Sequence, residues 1–287
     1  MKTNYLKKTA RWLEAALHPS YRIMAAEHSL PSRHLKRKVK IRVLQPPAGA
    51  HRQGELPALY LNDGQDLEAL DLLFTLQRLY RKGKIAPFIL VAVHAGDRMQ
   101  EYGTMGRPDY KKRGSRAGAY ASFLTSELLP FLESRYPLQG SPAGRSIAGF
   151  SLGGLSAFDL AWHHPALFHQ VGVFSGSLWW RSTPFEESRP DAGRIVQDYV
   201  EAAAHCPPLR FWLQAGTADE TSDRNGNGVI DAIDDTLDLM RALQSLGCPA
   251  HSLRYVEVSG GEHRPETWGQ VMPDFLQWAF PKRATKA

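Results

Sequence analysis

Hydrophobic and polar positions follow two different periods along this chain. Short, almost wholly apolar runs predict buried strands, and they occur at 58–62, 87–94, 146–150, 171–175, 209–216 and 251–258. Residues 34–44 alternate apolar with basic side chains, which is typical of a strand with one solvated face. Amphipathic stretches of helical period separate the runs, at 67–80, 117–135, 154–163, 195–204, 234–246 and 267–280.

This alternation predicts an α/β domain with a mostly parallel central sheet and helices on both faces. No internal repeat or linker interrupts it, so we expect a single domain over 28–287, preceded by a basic, partly helical extension over 1–27. Two Gly- and Arg-rich segments, 95–118 and 176–194, do not fit the alternation. Both follow the carboxyl ends of predicted strands, where ligands bind in such sheets, so we expect them to form the walls of a pocket.

Composition and charge exclude several classes of protein. Hydrophobic residues make up 43% of the 287 and charged residues 22%, as in ordinary globular proteins. No apolar run approaches the roughly 20 residues of a membrane helix, and the N-terminus lacks the apolar core of a secretory signal, so we expect a cytoplasmic protein without membrane contact. The net charge is +6, but the basic residues of 34–44 belong to the predicted strand, so no nucleic-acid partner is expected.

The chain contains two cysteines, Cys206 and Cys248. They are too few for a disulfide framework and are not spaced as metal ligands. We therefore expect ordinary thiols, which agrees with a reducing, cytoplasmic compartment.

Candidate chemistry begins with the segment SIAGFSLGGLSAF at 146–158, in which Gly149, Ser151 and Gly153 form a G-x-S-x-G motif. A predicted strand precedes the motif and a predicted helix follows it, which is the context of a nucleophile elbow. A serine hydroxyl needs a base to accept its proton and an acid to orient that base. In this architecture the acid and then the histidine follow the serine along the chain.

Candidates for the base, the acid and the oxyanion donors occupy the expected places. His263 lies on a Gly-rich loop after the last predicted strand and is the expected base. Asp219 is the first acidic residue in the loop after the preceding strand and is the expected acid, with Glu220 as the alternative. A purely structural role for Asp219, in a turn or as a helix cap, is the other interpretation. The amides of Leu152 and Gln65 are expected to bind the oxyanion, although the turn that precedes Gln65 is also a common tight turn.

A second motif, DRNGNGVIDAID, spans 223–234. It matches the calcium-loop template, with oxygen ligands at alternating positions and glycine at the sixth, while aspartate replaces the usual glutamate at the twelfth, as in dockerin modules. The expected ligands are the backbone carbonyl of Val229 and the side chains of Asp223, Asn225, Asn227, Asp231 and Asp234. We expect a structural Ca²⁺, with an Asx-rich turn that caps the following helix as the alternative. No cofactor is expected for catalysis.

Five ordered blocks carry a family resemblance: LYLNDGQD, LVAVHAGDRMQEYG, SIAGFSLGGLSAFDLAWHHPALFHQVGVFSGSLWW, LQAGTADE and GGEHRPETW. With them the chain resembles the putative esterase family of α/β-hydrolases, which contains esterase D and the enterochelin esterases, over most of 28–280. The resemblance implies an α/β-hydrolase fold, a triad of Ser151, His263 and an acid near Asp219, and Gln65 and Leu152 as oxyanion donors.

The block SGSLWW is similar to enterochelin-type members, whose substrates are cyclic triesters of aromatic acyl-serine units. This implies aromatic or siderophore-type esters that stack on Trp179 and Trp180, with core or lid packing of the two rings as the alternative. Arg98, with Glu101 and Tyr102, is expected to line the pocket, unless Arg98 and Glu101 form a helical ion pair.

The sequence therefore predicts a serine carboxylic ester hydrolase that acts on a small-molecule ester through an acyl-enzyme. The alternatives are an acyltransferase with the same triad and a non-catalytic calcium-dependent binding module.

Overall fold

A computed structural model describes residues 21–50 and 54–282. Eight strands form one sheet: β1 (Met24–Ser32), β2 (Arg37–Gln45), β3 (Ala58–Asn62), β4 (Ile89–Val93), β5 (Arg145–Phe150), β6 (Gln170–Phe174), β7 (Arg210–Ala218) and β8 (Leu253–Glu262). Their spatial order is β1-β2-β4-β3-β5-β6-β7-β8. β1 pairs antiparallel with β2, and β2 antiparallel with β4. The other six strands run parallel, so the predicted mostly parallel sheet is confirmed.

Helices cover both faces of the sheet, which explains why the central strands are almost wholly apolar. The helices are α1 (Leu72–Arg81), α2 (Arg98–Glu101), α3 (Ala117–Ser122), α4 (Leu129–Glu133), α5 (Leu152–His163), α6 (Ile195–Glu201), α7 (Asp231–Ser245) and α8 (Pro265–Ala279). Buried side chains of α1 and α8 share one apolar core, and those of α3 to α7 share the other. Because both faces are covered, β3 to β6 are buried at every position.

The structure differs from the expectations at one boundary and inside one helix. β1 begins at Met24, so residues 24–27, which we expected in the extension, pair with β2 in the sheet. Residues 1–20 of the expected basic, partly helical extension lie outside the described residues. The helix predicted over 117–135 contains a π-helical segment, Phe123–Leu128, between α3 and α4.

The expectation of free thiols is wrong. Cys206, after α6, and Cys248, after α7, form a disulfide bond across a sequence separation of 42 residues. Disulfides persist mainly in oxidising environments, so the cysteines no longer support a reducing compartment. Across residues 21–50 and 54–282, no helix has both the length and the hydropathy to span a bilayer.

Candidate active site

Ser151 occupies the sharp turn between β5 and α5. Its backbone has φ 53° and ψ −121°, a conformation that residues with a side chain rarely adopt. A Cβ atom on Gly149 would lie 2.2 Å from the carbonyl oxygen of Gly153, so glycine allows the strand to meet the helix at this turn. The Ser151 hydroxyl is partly exposed and lies 3.4 Å from the hydroxyl of Ser177. The local structure is that of the predicted nucleophile elbow.

Asp219 follows β7 directly, and its side chain is fully buried. Oδ2 accepts a hydrogen bond of 2.8 Å from the backbone N–H of Gly216. Oδ1 has no hydrogen-bond partner among the described residues, and it faces Nδ1 of His263 at 3.8 Å. A buried carboxylate oxygen that faces an imidazole nitrogen can orient the ring and stabilise its protonated form.

Glu220, the alternative acid, has a different environment. Burial raises the pKa of its carboxyl group first, and the carboxylate of Asp231 raises it further, while a backbone hydrogen bond from Ala232 lowers it. These neighbours belong to the 223–234 loop and to α7. The ion-pair geometry with His263 therefore favours Asp219 over Glu220 as the acid.

His263 lies just beyond β8, and its ring packs on the side chain of Trp268 in α8. The two ring centroids are 5.3 Å apart in an edge-on arrangement. Trp268 also stacks on Phe150, at 5.0 Å, and donates a hydrogen bond of 2.9 Å to the hydroxyl of Ser175. Through Trp268 the histidine is therefore packed against the strand end that carries the elbow.

The protonation of His263 depends on burial and on two charged neighbours. Burial lowers its pKa, the carboxylate of Asp219 raises it, and the guanidinium of Arg98 lowers it, with a net decrease. In the described part of the chain, no hydrogen bond joins His263 to the hydroxyl of Ser151. Catalytic hydrogen bonds of this type often tighten only when substrate is bound.

The two predicted oxyanion donors lie in segments that contact one another. Leu152 is the first residue of α5, where a backbone N–H has no partner within the helix. Gln65 lies in a short 3₁₀ turn after β3, and a Cβ on Gly64 in that turn would lie 2.7 Å from the backbone of Ala92. Asn62, the last residue of β3, donates a hydrogen bond of 2.8 Å to the carbonyl of Gly153 in α5.

Residues 32–279 match the family model described as Putative esterase. The chain belongs to this family. Curated relatives include the uncharacterized protein YbbA of Bacillus subtilis (strain 168), 26% identical over 143 residues, which are 48% of this chain and 56% of the relative. The diacylglycerol acyltransferase/mycolyltransferase Ag85A of Mycobacterium leprae (strain TN) is 32% identical over 153 residues, 52% of this chain and 43% of the relative. The chain thus spans about half the length of these relatives.

Solved structures confirm the α/β-hydrolase fold. A ferulic acid esterase aligns with a TM-score of 0.69 at 20% identity, over 91% of this chain and 98% of that one. The enterobactin esterase FES from Shigella flexneri aligns with a TM-score of 0.67 at 23% identity, over 89% of this chain and 60% of that one. At these identities the likeness shows the fold alone.

In this member of the esterase family, Arg98 does not pair with Glu101. Its guanidinium donates to the carboxylate of Asp63, and Glu101 instead forms an ion pair of 2.5 Å with Arg37. Glu101 and Tyr102 are both fully buried. Of the three residues expected at the pocket, only Arg98 is therefore accessible, with 37% of its side chain exposed.

Trp179 and Trp180 also differ from one another. Trp180 is fully buried, and a Cβ on Gly103 or Gly114 would lie 3.2 or 3.1 Å from its ring. It packs the 176–194 segment against the 95–118 segment, so the packing alternative is the correct one for Trp180. Trp179 is 40% exposed, with the guanidinium of Arg113 at 5.2 Å from its ring, and is accessible to a ligand.

The 223–234 loop brings several of its predicted ligands together. Oδ2 of Asp234 accepts hydrogen bonds from the side-chain amides of Asn225 and Asn227, at 3.0 and 2.7 Å. The Asp223 carboxylate accepts backbone N–H groups of the same loop, whereas Asp231 is bound by Arg224 at 3.1 Å. Within the described ranges, no three His, Cys, Asp or Glu side chains form a metal-binding group, so the fit to a cation depends on the two asparagine amides.

Proposed function

We propose that the protein is a serine carboxylic ester hydrolase with Ser151 as nucleophile, His263 as base and Asp219 as acid. The observation that carries the proposal is the buried Oδ1 of Asp219, which has no hydrogen-bond partner among the described residues and faces Nδ1 of His263 at 3.8 Å. It lies at the carboxyl ends of the strands, where Ser151 forms a strained elbow. Membership of the esterase family supports the reaction class.

The mechanism follows from these positions. His263 takes the proton of Ser151 as the hydroxyl attacks the ester carbonyl, and the amides of Leu152 and Gln65 bind the oxyanion that forms. The protonated His263 then gives the proton to the departing alcohol, leaving an acyl-enzyme. Asp219 holds the imidazole in the required tautomer throughout. Water activated by His263 then hydrolyses the acyl-enzyme, which releases the carboxylic acid product and restores Ser151.

Labelling and turnover test the proposal together. A serine-directed fluorophosphonate should form an adduct on Ser151 of the folded protein, and Ser151→Ala and His263→Ala should each abolish hydrolysis of short acyl esters. The matched control is His163→Ala, because His163 also contacts an aspartate, Asp159, at 3.4 Å but lies on α5 outside the proposed triad. If no adduct forms on Ser151 of the folded protein, the calcium-dependent binding module is favoured instead.

The proposed substrates are esters of aromatic acids, including siderophore-type esters. The exposed ring of Trp179 supports this class, because it offers an aromatic surface two residues beyond Ser177, which contacts the nucleophile. A panel of aryl, acetyl and siderophore-lactone esters compared by kcat/KM tests the class. Trp179→Ala should reduce the preference for aromatic over acetyl esters, and an unchanged preference would contradict the proposal.

An acyltransferase is the second candidate. It shares the first half-reaction and differs in whether an alcohol or water resolves the acyl-enzyme. The relatives named as diacylglycerol acyltransferase/mycolyltransferase favour this candidate. Product analysis with added alcohol separates the two, since transfer yields a new ester in proportion to the alcohol.

We also propose a structural Ca²⁺ in the 223–234 loop. Asp223, Asn225, Asn227 and Asp234 supply oxygen-bearing side chains in one loop, and rotation of the two asparagine amides would present oxygen instead of nitrogen at Asp234. The loop begins four residues after Asp219, so a bound ion would restrain the segment that carries the acid.

A further inference from the structure

A cluster of charged side chains joins three parts of the chain: the wall segment (176–194), the loop before α7, and α7 itself. At its centre are the guanidinium groups of Arg194 and Arg224, whose side chains are 7% and 5% exposed. They contact Oδ1 of Asp235, in α7, at 2.6 and 2.9 Å. They also contact Oδ1 of Asp191, at 3.3 and 2.8 Å. Because Asp191 lies in the wall segment and Arg224 in the loop, the cluster connects the two.

On one side the cluster anchors the backbone beside Trp179. The backbone N–H of Ile195, which follows Arg194 directly, donates to the carbonyl of Trp180 at 2.9 Å. Arg181 forms an antiparallel β-bridge with Arg194. The exposed ring of Trp179 is therefore next to a stretch of backbone that the cluster holds in place.

On the other side Arg224 holds the loop that follows the proposed acid. Arg224 lies five residues beyond Asp219. Its backbone N–H donates to Oδ1 of Asp231 at 2.8 Å, and its guanidinium lies 3.1 Å from the same oxygen. Nε of Arg224 donates to Oδ1 of Asp191 at 2.9 Å. A single side chain therefore reaches from the loop to the wall segment.

Removal of Arg224 would leave the cluster with an excess of negative charge. Asp191, Asp231 and Asp235 each form an ion pair with its guanidinium. Arg194 contacts Asp191 and Asp235, so without Arg224 these two carboxylates would share one cation and repel one another. The side chain of Asp191 is 51% exposed and can move outward into water, whereas Asp235 is buried in α7. Such a movement would carry the wall segment with it.

We propose that Arg224 is a positioning residue that fixes the wall segment against the loop after Asp219, and so sets the affinity of the pocket for aromatic acyl groups. The proposal rests on the ester hydrolase function and the aromatic substrates proposed above. Arginine suits this role because its planar fork reaches several carboxylates at once, whereas the lysine ammonium is a point charge.

The ester panel separates this role from a general loss of stability. Arg224→Gln should raise KM for aryl esters by about 3- to 10-fold, because the wall segment no longer holds Trp179 in one position, while kcat changes less than about threefold. KM for acetyl esters should change less than about twofold, because an acetyl group has no ring to stack on Trp179. The matched control is Arg145→Gln, which removes a buried arginine that binds Glu133 at the end of β5 remote from the elbow. Its KM values should equal those of the wild type.

A double-mutant cycle tests whether Arg224 acts through the wall segment. Asp191→Asn weakens the same contact from the other side and should raise KM for aryl esters to a similar extent. The double variant Asp191→Asn, Arg224→Gln should raise it no further than the larger single effect, because both changes break one link. Melting temperatures of all the variants show that each is folded at the assay temperature.

Three results would contradict the role of Arg224. Wild-type KM for aryl esters in both single variants would show that the contact positions nothing. Additive effects in the double variant would show that Arg224 and Asp191 act independently. Equal losses on aryl and acetyl esters would show a disturbance of the triad rather than of the wall segment. If Arg224→Gln does not fold, Asp191→Asn tests the same link, since its side chain is half-exposed.

The wild type distinguishes failure of this role from failure of the proposed function. If it forms the serine adduct and hydrolyses aryl esters, and the variants behave like it, only the role of Arg224 is rejected. If it hydrolyses esters without preferring aryl esters, the aromatic substrate class is rejected and this role with it. Absence of both adduct and turnover in the wild type rejects the hydrolase function itself.

Discussion

Ser151 and Asp219 both occupy environments that cost free energy. Ser151 has a positive φ, and one buried carboxylate oxygen of Asp219 has no hydrogen-bond partner in the part of the chain that the structure describes. Such features persist where the surrounding structure enforces them, and they cluster at functional sites. The elbow glycines enforce the positive φ of Ser151, and the proposed contact with His263 explains why the Asp219 oxygen is kept free of other partners.

The choice of acid predicts unequal effects of two neighbouring substitutions. Asp219→Asn should lower kcat by about 10³- to 10⁴-fold, because the amide no longer stabilises the protonated His263. Glu220→Gln should change kcat less than about threefold, because His263 pairs with Asp219. Steady-state kinetics on both variants, with melting temperatures as a folding control, checks this. A larger loss in Glu220→Gln would reverse the assignment.

The pH dependence of the reaction should follow His263. General-base catalysis needs the neutral imidazole, and burial with the nearby Arg98 outweighs Asp219 to lower its pKa below the ordinary value of 6.5. The rate should therefore persist below pH 6.5 and fall as the pH decreases through the lowered pKa. A profile of kcat/KM from pH 4 to 9 measures the limb. A flat profile to pH 4 would exclude His263 as the base.

Local sequence predicted some site residues better than others. The elbow at Ser151 was predictable because its glycines and serine act within five residues. The Arg98–Asp63 pair was not, since the partners lie 35 residues apart and meet only after β3 and β4 align. Trp179 and Trp180 are adjacent in sequence, yet one is exposed and the other buried, because only Trp180 faces the two glycines of the 95–118 segment.

At the scale of elements, the loop before α7 gives a prediction about metal. If Ca²⁺ binds the 223–234 loop, a chelator should lower the melting temperature by on the order of 5 °C, because an ion that binds the native state stabilises it. Thermal melts with chelator, and with added Ca²⁺ after chelation, measure this, and Asp234→Ala serves as the insensitive control. No shift together with no metal by elemental analysis would reject the site.

Elements with strong periodicity were predicted closely, and weakly patterned ones were not. β3 matches its predicted bounds because four of its five residues are apolar and all five are buried. β1 was missed because it is an exposed edge strand that mixes polar side chains with Pro31, and it is stabilised by pairing with β2. The predicted helix at 67–80 begins only at Leu72, because Asp71 adopts a left-handed backbone.

For the whole molecule, the disulfide predicts a dependence of stability on redox conditions. The bond closes a loop of 42 residues, and its reduction should lower the free energy of unfolding by about 4 kcal/mol, since it restricts the unfolded chain. Melting curves with and without reductant measure this loss, and the Cys206→Ser, Cys248→Ser double variant should not respond to reductant. An intact mass that gains no hydrogens on reduction would show that the thiols are free.

The cysteine pair illustrates what a single sequence does not reveal. Two cysteines at a separation of 42 residues have no local signal, because their proximity depends on how α6 and α7 pack at one side of the sheet. The alternation of strands and helices predicted that layer but not which helix ends meet. Because the cysteines form a disulfide, cell fractionation, and not composition, is the way to determine the compartment of the protein.

The disulfide ring encloses β7, Asp219, the 223–234 loop and α7. Residues 225–228 of the loop are exposed and include two glycines with positive φ, Gly226 and Gly228, features that proteases favour. A single cut there would leave both fragments joined through sulfur. The cleaved chain would migrate as one band on a non-reducing gel and as two bands after reduction. Cleavage at this loop would therefore be detected only on a reducing gel.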